Sequence, residues 1–156
     1  MVDALLGIGI PKDKIITIEV GKVYKIGDIQ FSPITLYHDV ENFGYRLFKD
    51  GLKVIHATDT RHLQGITAKG YDIAVIETNH ELEAAKAIIK QKAIDGEFCH
   101  LERAIKTHLS VSATIDFMNE NGIKKLYPVH IGGSTIKAVF EKLSEVDFEV
   151  KREYKV

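Results

Sequence analysis

Residues 52–60, from Leu52 to Thr60, read LKVIHATDT. Val54, Ile55 and Ala57 form a short apolar run with a β-branched bias, which is the mark of a buried strand. The run ends on Asp59, flanked by Thr58 and Thr60. A carboxylate at the tip of a core strand is costly to desolvate unless it is paired or bound to a cation. Taken alone, Asp59 reads equally well as the opener of a turn or as a cap for Arg61–Leu63. Other strand-like runs also stop on polar groups. Ile29–Tyr37 stops at His38, Ile73–Ile76 at Glu77, and Lys124–Val129 at His130. Strands that deliver carboxylate and imidazole at their ends suggest a metal site.

Around this stretch the 156 residues suit one domain with a proper core. Hydrophobic residues make up 45% and charged residues 28%, a balance that excludes a disordered chain. A formal net charge of −1 carries no large basic field, so any contact with nucleic acid has to be local. The single cysteine, Cys99, excludes an internal disulfide and sits in no motif that makes it reactive. With no long apolar run and no basic leader, the chain reads as soluble and cytoplasmic, with no membrane partner.

The elements expected in order begin with an apolar arm, Val2–Ile10, too rich in glycine for a long helix. Ile15–Val20, Val23–Ile26, Ile29–Tyr37 and Phe43–Phe48 read as strands, with turn signals at Gly27-Asp28 and Asp50-Gly51. After the central strand come a loop over Arg61–Gly70 with one helical turn and a buried strand, Tyr71–Glu77. Helices follow over Glu81–Ala93, His100–Lys106 and Val111–Asn121, the last with Ser110 as N-cap and Gly122 as its stop. Leu126–His130 is a strand, Thr135–Ser144 a helix and Phe148–Val156 a closing strand. A strand meander followed by strand–helix alternation predicts an α/β fold with one sheet covered by helices.

Several side chains at these boundaries have an ordinary role as well as a chemical one. His38, before Asp39, is a surface histidine or a ligand. His108, in Thr107-His108-Leu109-Ser110, is a helix-flanking polar residue or a site residue. Glu77-Thr78-Asn79-His80 is a site loop, or a connection in which Asn79 caps the helix that begins near Glu81. His130 precedes Ile131-Gly132-Gly133, whose glycines let the backbone turn sharply past a site. His62 and His100 read as ordinary. His56 points to the face opposite Ala57 and reads as structural. Imidazole and carboxylate together suit zinc, manganese or iron, and a carboxylate shared by two ions about 3.5–4 Å apart suits metal-assisted hydrolysis. No close pair such as H-x-H or H-E-x-x-H is present, so spacing alone leaves that reading open.

The segments LYHDVENFGYRL, VIHATDT, AVIETNH, KTHLSVSATIDF and YPVHIGGS occur in this order. Together they resemble the carboxy-terminal half of the metallo-β-lactamase superfamily. The likeness is to its phosphodiesterase branch, ribonuclease Z and related bacterial exonucleases, and spans roughly residues 15–135. The resemblance implies a four-layer αββα sandwich, represented here by its second half. It implies two divalent ions, zinc or manganese, with His38 and His130 as ligands and Asp59 as the bridging carboxylate. It gives His108 a catalytic or phosphate-facing role, Glu77 the acidic position that supports it, and His80 a possible place beside the site.

The superfamily's upstream signature, H-x-H-x-D-H, is absent from these 156 residues. The chain is therefore expected to be a partial fold, a single domain over residues 1–156 that lacks the amino-terminal half. Each metal site would be short of ligands, so metal occupancy in this chain is open and little hydrolase activity is expected from it alone. The expected partners are a second copy or a chain that supplies the missing half, and a nucleic acid or small phosphodiester as substrate. Two other readings stay open: a hydrolase of small esters or thioesters, and a non-catalytic half-domain used for binding or assembly.

Overall fold

The computed structural model describes residues 2–152. Strand β4 (Leu52–Ala57) is the fourth of seven in one sheet whose spatial order follows the chain. Strands β1 (Tyr24–Ile26), β2 (Ile29–Leu36), β3 (Asn42–Lys49) and β4 form an antiparallel meander. The β3–β4 turn is two residues long, with Lys49 opposite Leu52. Asp50 (φ 49°) and Gly51 (φ 82°) supply the two positive φ angles that such a hairpin turn needs.

Beyond β4 the sheet becomes parallel, with β5 (Ile73–Glu77), β6 (Lys125–Val129) and β7 (Glu149–Val150). Parallel neighbours need crossovers, and the helices provide two of the three. Helix α1 (Val2–Gly7) lies in the amino-terminal arm. Helices α2 (Leu82–Asp95), α3 (Leu101–Thr107) and α4 (Val111–Asn121) join β5 to β6, and α5 (Ile136–Leu143) lies between β6 and β7. Ser110 caps α4 by accepting the Ala113 N–H, and Gly122 ends it in a left-handed conformation at φ 67°.

Strand alternation divides the sheet into two unlike faces. On one face, Ile55, Ala57, Ala74, Ile76 and Leu126 are all fully buried and join a core with Leu109, Val111, Phe117, Met118, Val139 and Leu143. On the other face the register aligns Tyr45, His56, Val75 and Tyr127, and beside them Phe31, Leu47, Val54 and Ile73. These side chains are only half-buried. An apolar groove of about 400 Å³ on this face is lined by Ile18, Ile26, Ile29, Phe31, Tyr45 and Leu47. His56 does lie on the face opposite Ala57. Among the described residues no helix is long and apolar enough to cross a membrane.

Several boundaries depart from the sequence-based expectation. Ile15–Val20 is not a strand: a turn closed by the Lys22 N–H on the Glu19 carbonyl (3.2 Å) diverts the chain before it can extend the sheet, leaving Ile16 81% exposed. Arg61–Gly70 contains turns but no helical turn. The closing strand is only Glu149–Val150, because its pairing with β6 stops at Leu126. The expected continuation over 153–156 lies outside the described residues. Asn79 does not cap α2. Glu81 does, accepting the Ala84 N–H at 2.7 Å, while the Asn79 amide is engaged by His130.

Candidate metal centre

The central strand ends at Ala57 and the chain turns at once. Asp59 takes φ 54°, a left-handed conformation uncommon for a residue with a side chain. The turn is pinned from both sides. The Asn42 amide donates to the carbonyls of Thr58 (2.8 Å) and Asp59 (2.7 Å). The Thr60 N–H donates to Glu77 Oε2 (2.8 Å), and the Thr60 hydroxyl accepts the Tyr37 N–H (3.1 Å) and donates to the His62 carbonyl (2.9 Å).

A second strand end behaves alike. β6 stops at Val129, so His130 lies beyond the strand rather than in it, at φ 53°. The Asn79 side chain donates to the His130 carbonyl (2.9 Å), and the Gly132 N–H donates to the Asn79 carbonyl (2.7 Å). A Cβ on Gly132 would come within 3.0 Å of that carbonyl oxygen, so the close approach suits glycine. Backbone strain of this kind persists where the surroundings impose it, and it commonly marks a working site. Both residues so held carry metal-ligating side chains.

Those side chains meet over Glu77, the last residue of β5, which is fully buried. Glu77 Oε1 lies 2.6 Å from His108 Nδ1 and 2.9 Å from His130 Nδ1. Asp59 Oδ1 lies 3.1 Å from His130 Nδ1 and 3.8 Å from His108 Nδ1. Asp59, Glu77, His108 and His130 each offer one donor atom, all within 4.8 Å of one another. A carboxylate buried this deeply is costly unless its oxygens are engaged. Here one oxygen accepts the Thr60 N–H and the other faces the two imidazoles.

His38, just past β2, packs edge-on against the His108 ring at 5.0 Å, as His130 does at 4.9 Å. His38 Nδ1 stands 2.5 Å from Asp39 Oδ1, and its buried Nε2 has no hydrogen-bond partner. Arg103 engages the other oxygen of Asp39 and holds that carboxyl below its usual range. His80 is buried, its Nδ1 without a hydrogen-bond partner. Burial first, then the proximity of His108, pushes the His80 pKa down.

The donor set fits a divalent ion. One exposed-side carboxylate and accessible imidazoles are zinc-type or manganese-type ligands, and the orphaned His38 Nε2 is a further donor nearby. Asp59, His130, His108 and His38 are the residues that could hold one. Glu77 reads as the buried carboxylate that orients imidazoles, the usual partner of a ligating or catalytic histidine. Sequence reasoning gave no part to Asn42 or Thr60 and gave Asn79 only as a helix cap, in one of two readings of its loop. Only Thr60 left a trace, as a threonine flanking Asp59.

No protein-family model matches the sequence, and no curated protein matches it. Solved structures do. Over 87% of its length the chain superposes on the metallo-β-lactamase fold protein YhfI from Bacillus subtilis, with a TM-score of 0.66 at 13% identity, taking in 51% of that chain. Zinc-bound PqqB from Methylobacterium extorquens gives 0.65 at 11% identity, over 88% of this chain and 53% of its own. A diphosphatase of the PhnP family gives 0.58 at 14% identity, over 86% and 44%. The chain therefore has the metallo-β-lactamase fold, and it spans about half the length of the structures it matches.

Proposed function

We propose that this chain, with half of a metallo-β-lactamase fold, supplies the metal-binding side of a metal-dependent phosphodiester hydrolase of nuclease-like type. The observation that carries the proposal is the meeting of Asp59, His108 and His130 over buried Glu77 at the ends of three strands and a helix. The fold likeness to a diphosphatase of the PhnP family supports a phosphate ester as substrate, either nucleic acid or a small phosphodiester.

In this proposal Asp59, His38 and His130 would hold two divalent ions, zinc or manganese, with Asp59 the carboxylate common to both. Bound there, a divalent ion would lower the pKa of water and neutralise charge on a phosphoryl oxygen. Glu77 fixes His108 through Nδ1 at 2.6 Å, which leaves Nε2 as the nitrogen able to pass a proton to a leaving oxygen. His80 is buried and close enough to that histidine to feel its charge. A catalytic zinc takes three protein ligands and a water, so two ions need more donors than this set supplies. We propose that the missing donors and the missing layer come together, from a second copy or another chain laid on the open face at the roughly 10 Å spacing of packed sheets. Such a layer would cover Phe31, Tyr45, Leu47 and Val54. A cytoplasmic setting suits the unpaired Cys99 thiol.

A calorimetric zinc titration of the chain tests the metal assignment. Binding is expected, weakened on the order of tenfold or more by Asp59→Asn or His130→Ala. A wild-type chain that takes up no zinc would overturn it. With a generic phosphodiester and added zinc or manganese, the chain alone should show little or no turnover. Turnover abolished by His38→Ala would show that the site is complete without a partner.

A further inference from the structure

Beside the cluster lies a cleft of about 510 Å³, within the range of small-molecule sites. His38, whose ring packs against His108 at 5.0 Å, forms part of its wall. Tyr37, Arg61, His62, Lys106 and Thr107 contribute the rest of its polar lining, with Asp39 and Glu41 as its acids. The position of the two cations follows from the chain. Arg61 is two residues after Asp59, and its N–H is tied to the Tyr37 carbonyl at 2.6 Å. Lys106 is two residues before His108, in the last turn of α3. Each cation thus projects from a segment that also carries a site residue.

The charge balance of the cleft favours an anion. Among the described residues, no carboxylate lies within ion-pair distance of Arg61 or Lys106, whereas Arg103 occupies Asp39. Glu41 is the one acid left against two unengaged cations. Cations that line a cleft attract anions and hold phosphate oxygens by charge-assisted hydrogen bonds. The Tyr37 and His62 rings lie 4.2 Å apart and tilted by 32°, and Tyr37 is 45% exposed, so it offers a flat aromatic surface beside the cations. Aromatic surface next to positive charge is what successive nucleotides use when a single strand is bound.

We propose that this cleft is a second phosphate subsite, which takes the phosphate next to the scissile one and rests the neighbouring ring on Tyr37. This rests on the phosphodiesterase reading, and it deepens that reading: the substrate carries at least two phosphates, and Arg61 and Lys106 select for the second. The shared chemistry is a paired phosphate, from a nucleic-acid strand or from a small diphosphate.

Amide chemical shifts of the isotope-labelled chain, without metal, test the proposal. The probes are 5′-phosphorylated dithymidylate, dithymidylate lacking that phosphate, and inorganic pyrophosphate. The doubly phosphorylated dinucleotide should shift the amides of Arg61, His62, Lys106 and Thr107, and removing its terminal phosphate should weaken binding. Arg61→Ala with Lys106→Ala should weaken it on the order of tenfold, whereas Lys90→Ala with Lys142→Ala, remote cations, should not. Dinucleotide binding tighter than that of pyrophosphate supports a strand as the source. Equal binding supports a small diphosphate. Shifts that fall elsewhere, or a double variant that binds like the wild type, would overturn the subsite. Zinc titration of the same double variant separates the two proposals: unchanged zinc affinity with lost dinucleotide binding isolates the subsite from the metal site. Both side chains are exposed, so the variant should fold, and circular dichroism checks that it does.

Discussion

The two faces of the sheet are built from the same strands and differ in what covers them. Ile55 and Ala57 are fully buried under helices, whereas their neighbours Val54 and His56, one residue away along β4, are only half-buried. Both faces are apolar. Tyr45, Leu47, Val54, Ile73 and Val75 would suit a core as well as Ile76 or Leu126 does. What separates them is that α4 and α5 pack on one side only. An apolar face larger than a few hundred Å² is uncommon on a monomer and marks a surface meant to be covered. The candidate metal cluster lies at the ends of β4, β5 and β6.

The largest expected contrast is between core truncations on the two faces. Ile76→Ala should cost about 2–5 kcal/mol, as large-to-small changes in packed cores do. Leu47→Ala, on the half-buried face, should cost roughly 1 kcal/mol, the part of its transfer energy already realised. Urea unfolding of both variants at several protein concentrations measures the difference. If Leu47→Ala proves as costly as Ile76→Ala, with a midpoint that depends on concentration, then the chain already covers that face with a second copy.

A smaller effect is expected at Gly44, on β3 beside β4. A Cβ on Gly44 would lie 2.5 Å from the His56 carbonyl oxygen and 3.2 Å from side-chain atoms of Ile34 and Leu36. Gly44→Ala should therefore destabilise by about 1–3 kcal/mol although it only adds a methyl group. Wild-type stability in that variant would mean that β3 and β4 separate without cost, and that the covered face is less tightly packed than Ile55 and Ala57 indicate.

The smallest effect is that of pH. Burial pushes the His56 pKa below its ordinary 6.5, and burial does the same to His80. Between the folded and unfolded pKa values the unfolded chain binds a proton that the folded chain refuses. This stability is complete above about pH 6.5 and declines as the pH falls. The urea midpoint should drop between about pH 7 and pH 5.5, and less so in His56→Gln. A midpoint that holds steady or rises would show that the open face is wet enough to charge His56 freely. Covering that face with a partner should steepen the decline, because deeper burial lowers the pKa further.

Most elements of the fold were legible because their signals are local. Asp50-Gly51 specifies its hairpin turn, Ser110 and Gly122 bound α4, and the IAVI run announces β5. The failures came where local signals compete. Ile15–Val20 alternates like a strand but has no partner to pair with, since Glu19–Lys22 turns the chain away. Asn79 is a good cap by type, yet the His130 carbonyl claims its amide from 51 residues away. The site shows the same division. His38, Asp59, Glu77 and His130 stood out as polar groups at strand ends, and the resemblance added His108 and a role for each.

Composition, alternation and capping residues determined on their own that this chain makes an α/β layer with carboxylate and imidazole at its strand ends, because those rules act over a few residues. The tertiary structure alone decided which of them meet. His108 reaches Glu77 across 31 residues and His130 reaches Asp59 across 71, and neither the left-handed turns that aim Asp59 and His130 nor the clasp of Asn42 and Thr60 behind them follows from spacing. It also decided that one sheet face stays half-buried, since alternation tells which side chains share a face but not whether anything packs on it.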